Sequence, residues 1–157
     1  MALRPGAAGD WRPRLDQWAR QMFSRFGRHP WALEATVGPR AIGPNELGWM
    51  EEAVAALAGT GLEGGEMLDV AATLAGHVRA IAQQRSALAD GHTEQAMAAG
   101  IIGLLRGRRE RFPALAAALD SAAAPGAQDQ ALGFGLARIL DGVGLLIASR
   151  PQAPPRR

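Results

Sequence analysis

Trp11, Leu15, Trp18, Met22, Phe23 and Phe26 follow one another at gaps of mostly three or four residues. That spacing places them on one side of an α-helix, where they can be buried together. The later segments repeat the pattern, and the alternation of branched residues that marks a strand occurs nowhere. The chain is therefore read as all-α. Pro13 fits because it lies in the first turn of its helix, where the missing N–H has no partner to lose.

Gly and Pro divide the helical segments. The spacing predicts about six to seven helices, over roughly 10–28, 30–37, 44–58, 66–89, 93–106, 112–121 and 129–149. A single domain is expected over 10–149. Residues 1–9 are read as a disordered remnant and 150–157 as a disordered Pro- and Arg-rich tail. His29 is read as the stop between the first two helices, and His92 as an exposed turn residue. A composition of 48% apolar and 20% charged residues suits a packed core. With no cysteine, disulfides, thiolate metal sites and cysteine nucleophiles are excluded. No uncharged apolar run is long enough to span a bilayer, and the first ten residues lack the apolar stretch of a signal peptide. A cytoplasmic protein without a membrane partner is expected.

All seventeen basic residues are Arg, and no Lys, Tyr or Cys is present. Little titrates between His and Arg, so a net charge of +2 gives a pI near 10.8 without implying a polyanion-binding face. The distribution says more. Residues 1–40 hold seven Arg and three acids, whereas 41–78 hold six acids and no Arg. The run Arg106–Arg111 reads as a solvated helix end, with a phosphate-contacting patch as the alternative.

The order of segments resembles the C-terminal ligand-binding and dimerisation domain of TetR-family transcriptional repressors. The resemblance is carried by Gly9-Asp10-Trp11-Arg12, His29-Pro30-Trp31, Gly43-Pro44-Asn45 and the long helix after Leu62. It continues in Phe112-Pro113-Ala114-Leu115, Leu132-Gly133-Phe134-Gly135-Leu136 and Ile139-Leu140-Asp141-Gly142. It implies a helical bundle that senses a small molecule and forms a homodimer, with no cofactor. Family members also carry an N-terminal helix-turn-helix domain. Only nine residues precede the resemblance here, so direct DNA binding by this chain is not expected. A fragment, a mis-started product and a free-standing sensor all fit that observation. In the tetracycline-responsive members a histidine and flanking amides hold a magnesium-chelated drug. Those positions fall at Thr36, Trp18 and Ala53, so the resemblance implies a different, largely hydrophobic ligand and no metal.

Helical bundles hold ligands between their helices. Trp18, Met22, Phe26, Trp31, Trp49, Met50 and Leu74 are the candidate walls, since aromatic plates and thioethers suit a flat apolar molecule. The same residues also read as ordinary core. His77 reads either as a polar contact to that ligand or as a core histidine bonded to a neighbouring helix. The spacing of His29, His77 and His92 matches no metal site.

Ala72, Gly76 and Ala80 form a small-residue stripe on the long helix, and Gly135 and Gly142 stand seven apart on the last one. Each Gly in a helix interior costs about 1 kcal/mol relative to Ala, so close packing is expected there. The predicted dimer seam comprises Ala72, Gly76, Ala80, Gly135, Leu136, Ile139, Gly142 and Val143; packing within one chain is the alternative. Two other functions are weighed: a stand-alone binding or sequestering protein, and a cyclase-type enzyme using the same cavity. No catalytic residue is assigned. His77 and Glu51-Glu52 are the only acid–base candidates, and adjacent glutamates on a helix diverge by about 100°.

Overall fold

The computed structural model describes residues 10–29, 31–34, 43–87, 93–122 and 130–150. Among them are seven α-helices and no strand: α1 (Trp11–Arg28), α2 (Trp31–Glu34), α3 (Pro44–Leu57), α4 (Gly64–Ser86), α5 (Thr93–Leu105), α6 (Pro113–Ala122) and α7 (Ala131–Ala148). A 3-10 turn, Arg109–Arg111, joins α5 to α6. The all-α expectation holds. Residues 1–9, Thr36, His92 and 151–157 lie outside the described residues.

Local chemistry explains the helix ends. In α3, Pro44 follows the N-cap Gly43, whose N–H donates to the Glu46 carboxylate at 3.3 Å. In α4, the Glu63 N–H donates to Glu66 at 2.9 Å, which starts the helix at Gly64, two residues earlier than the sequence reading placed it. Gly59 and Gly61 take φ of 81° and 87°, the left-handed region that glycine enters without strain, and so turn the chain between α3 and α4. His29 caps α1, its N–H bonded to Arg25 O at 2.9 Å, and is the expected stop.

The core lies where α1, α3, α4 and α7 meet. Leu15, Leu57, Leu74, Val78, Leu136 and Leu140 are its fully buried large side chains. Truncating one of these leucines to Ala removes about 2–5 kcal/mol by lost transfer energy and cavity formation. Polar ties fix the helices around this centre. Arg12 reaches Asp141 at 2.6 Å, joining the first turn of α1 to α7, and Arg14 donates to Ala55 O at 3.2 Å. Arg150, which the sequence reading assigns to the tail, pairs with Glu66 and joins the end of α7 to the first turn of α4.

The apolar helix α7 has the length and hydropathy of a membrane-crossing segment. Arg138 and Asp141 interrupt it, and Leu136, Leu140 and Val143 are buried against the other helices. Its outer side sets exposed apolar residues, Phe134 at 66% and Leu145 at 75%, beside the Arg138–Asp141 pair.

Candidate functional site

Two places in the bundle set a ring of one helix against the main chain of another. The first is the crossing of α1 and α3. Trp18 is buried, and its Nε1–H donates to Trp49 O at 2.9 Å. The two indoles lie 5.9 Å apart between centroids, tilted by 56°, a favourable geometry for an aromatic pair. Met22 and Phe26 follow Trp18 along α1 at four-residue steps, half-buried against the core like Trp49. The Arg25 guanidinium lies over the Trp49 ring, 4.6 Å from its centroid.

Of the predicted walls, the structure pairs Trp18 with Trp49, and Met22 and Phe26 lie half-buried against the core farther along α1. Leu74 is fully buried in the centre of the core. Trp31 stands apart from this group: it is 68% exposed, with an edge-on contact to the His29 ring at 6.1 Å between centroids. Met50 is exposed as well, because the residue after Trp49 points about 100° away around the helix.

The second place is the contact of α4 with α7. His77 is half-buried, and its Nε2 lies 3.2 Å from Leu132 O. A carbonyl only accepts, so Nε2 carries the proton in this contact. The ring lies so close to Gly135 that a methyl group there would fall 2.2 Å from His77 Cε1 and Nε2. Of the two readings of His77, the one bonded to a neighbouring helix is what the geometry shows.

The same contact redraws the predicted seam. Gly135 is needed inside the chain, under His77. Leu136 and Val143 are buried in the chain's own core, and Ile139 is half-buried against it, so none of the three forms an open face. Ala72, Gly76 and Ala80 on α4 and Gly142 on α7 do face outward. Among the described residues, no atom outside the local helix comes within 4 Å of a Cβ built at Gly76 or Gly142. Sequence reasoning missed Phe134 and Leu145. They lie on the side of α7 opposite Leu136, on a face shared with Arg138, whose guanidinium lies 5.7 Å from the Phe134 ring centroid.

Electrostatically, the clearest feature is Asp141, held by Arg12 and Arg138 at 2.6 Å each. The Arg12 hydrogen bond, with help from the Arg138 charge, holds its carboxyl below the usual carboxylate range. The described residues contain no group of three or more His, Cys, Asp or Glu able to hold a metal.

Comparison with known proteins agrees with this architecture. The model of the tetracycline repressor-like C-terminal domain matches residues 5–147. The chain belongs to the TetR C-terminal domain family. It is 28% identical over 151 residues to the HTH-type transcriptional repressor DrrR1 of Streptomyces coeruleorubidus. That match covers 90% of this chain and 54% of the relative, so the chain spans about half the length of the curated relative. No solved structure matches it.

Proposed function

We propose that this domain senses a flat, largely hydrophobic small molecule at the α1–α3 crossing and works as a cytoplasmic homodimer paired through the outward faces of α4 and α7. The observation that carries the ligand reading is the Trp18–Trp49 corner. One indole is anchored by its N–H to the other residue's carbonyl, and Trp49, with Met22 and Phe26 nearby, keeps part of its surface uncovered. A planar guest that displaces Arg25 from the Trp49 ring would gain stacking area and dispersion contacts. Control of DNA reading is the corresponding proposal for the whole regulator, by way of the helix-turn-helix repressor that this chain resembles. Such control requires the guest to bind two dimer states with different affinity.

The pairing reading rests on the small exposed residues Gly76 and Gly142, the exposed Phe134 and Leu145, and the direct packing of α4 on α7. A two-fold seam of two helices from each copy would let these backbones approach. Binding is favoured over catalysis by the state of the acid–base candidates. His77 is engaged with Leu132 O, and Glu51 and Glu52 are exposed.

Tryptophan fluorescence across a panel of planar aromatic compounds tests the sensing reading. Saturable quenching by at least one compound is expected, weakened in Trp49→Phe and unchanged in Trp31→Phe. Equal loss in both variants, or quenching that Trp49→Phe leaves untouched, would overturn the α1–α3 site.

A further inference from the structure

The half of α1 beyond Trp18 carries charge of one sign only. From Gln17 to His29 there are three Arg and no acid, and α4 has no acid from Val70 to Ser86. An arginine in the last turn of a helix ordinarily compensates its own terminal carbonyls, where the macrodipole favours a cation. Arg25 and Arg85 stand in the last turns of α1 and α4 but reach across to another helix. Arg25 lies over the Trp49 ring of α3, and Arg85 lies over the Phe23 ring of α1, 5.5 Å from its centroid. Both arginines are exposed, and neither has an ion pair among the described residues. Glu52, three residues beyond Trp49 on α3, is exposed and does not draw Arg25 off the ring.

Helix geometry places an apolar edge between the two arginines. Around α1, Phe23 and Arg25 diverge by about 160°, and Met22 and Phe26 fall in the sector between them. A guanidinium is planar, stays charged at any working pH and grips a carboxylate through two parallel N–H donors. A flat guest that takes the place of Arg25 over Trp49 leaves that charge without its aromatic partner. A neutral guest offers nothing in return, and an amine repels it. A carboxylate at the rim of the guest accepts both N–H groups. We propose that the guest at the α1–α3 crossing is a planar aromatic carboxylate, its ring on Trp49 and its carboxylate held by Arg25. Arg85 adds a second positive charge across the Met22–Phe26 edge. This deepens the ligand reading above and rests on it. Trp49 selects for flatness, and the two arginines select the sign of the charge.

Matched probes separate charge from shape: 2-naphthoate and 2-anthroate against their methyl esters, titrated calorimetrically into the full chain at low salt. Each acid is expected to bind about tenfold tighter than its ester. Arg25→Gln is expected to erase that preference, weakening the acids about tenfold and leaving the esters as tight or tighter. Arg25→Lys is expected to recover only part of the loss, because an ammonium lacks the two-pronged grip. Arg85→Gln, acting from farther away, is expected to weaken the acids about two- to threefold. Arg108→Gln, an exposed change on another part of the chain, is expected to alter nothing. Trp49→Phe is expected to weaken acid and ester alike. Ester binding by each arginine variant also shows that its fold is kept.

Esters that bind as tightly as their acids overturn the charge selection, while the α1–α3 site stands so long as Trp49→Phe weakens both. An acid preference that survives Arg25→Gln also overturns it, because the recognising charge then lies elsewhere. The same holds if Arg108→Gln removes the preference as fully as Arg25→Gln does, since the acids then respond to overall charge alone. If none of the four probes binds, or if Trp49→Phe leaves every one unchanged, the site and the inference drawn from it fall together.

Discussion

Trp18 and His77 each send a ring nitrogen to the carbonyl of a neighbouring helix, and the two contacts leave opposite surroundings. His77 bonds Leu132 O and fills the space over Gly135, where not even a methyl group fits. Trp18 bonds Trp49 O, and its partner's ring remains half-covered beneath the exposed Arg25 side chain. One contact locks α4 to α7. The other anchors a plate while leaving part of it free to meet something else. A hydrogen bond between helices therefore says little about function until the space around it is known.

The largest expected effect lies at the lock. Gly135→Ala forces the His77 ring away, and overpacking plus the lost hydrogen bond should cost about 2–4 kcal/mol. For a domain of this size that corresponds to a fall in melting temperature of roughly 5–10 °C. Adding His77→Ala should return much of the loss, because the new methyl group then has room. A double-mutant cycle measures this directly. Additive losses would show that Gly135 matters for some reason other than the ring above it.

Trp18→Phe tests the other contact. It removes the N–H donor while keeping an aromatic ring, at an expected cost of about 1–2 kcal/mol in denaturant unfolding. If this variant proved as damaging as Gly135→Ala, the corner would be a second lock and a poor ligand site. Arg25→Gln should cost less than about 1 kcal/mol, since an exposed cation–π contact is weak. It should also raise the affinity of an uncharged planar quencher by uncovering Trp49. Unchanged quenching would place the guest elsewhere.

The helical order was legible in the sequence because apolar spacing and Gly/Pro punctuation act locally. Pro44 with Glu46 marked the start of α3 as surely as any contact did. Of the site, Trp18, Met22 and Phe26 were legible as one face because they lie on one helix at steps of four. Trp31 was not legible as exposed, because aromatic character suggests burial, whereas among the described residues of α2 it is Leu33 that reaches the interior. The stripe on α7 was harder to read because that helix carries apolar residues on its outer side too, Phe134 and Leu145 beside the Arg138–Asp141 pair. Periodicity then shows that two faces exist without showing which one the core takes. Gly135 and Gly142 look alike in sequence, yet one lies under His77 and the other in the open. Only the position of another helix distinguishes them.

The smallest expected effect concerns Asp141, which joins the first turn of α1 to the helix whose outer face is proposed to pair. Its carboxyl is held below the usual range, chiefly by the Arg12 hydrogen bond. A carboxylate with a lowered folded-state pKa stabilises the fold above its ordinary value, near pH 4, and that contribution disappears as pH falls through the lowered one. Asp141→Asn should therefore melt below the parent at neutral pH and converge with it in acid. The gap should be small, because Arg12 and Asp141 are both more than 40% exposed and water and salt screen the pair. Raising the salt should narrow it further at neutral pH. A gap that persisted unchanged into strong acid would mean that Asp141 acts through packing, and the link from α1 to α7 would then rest on Trp11, whose ring lies against Gly144.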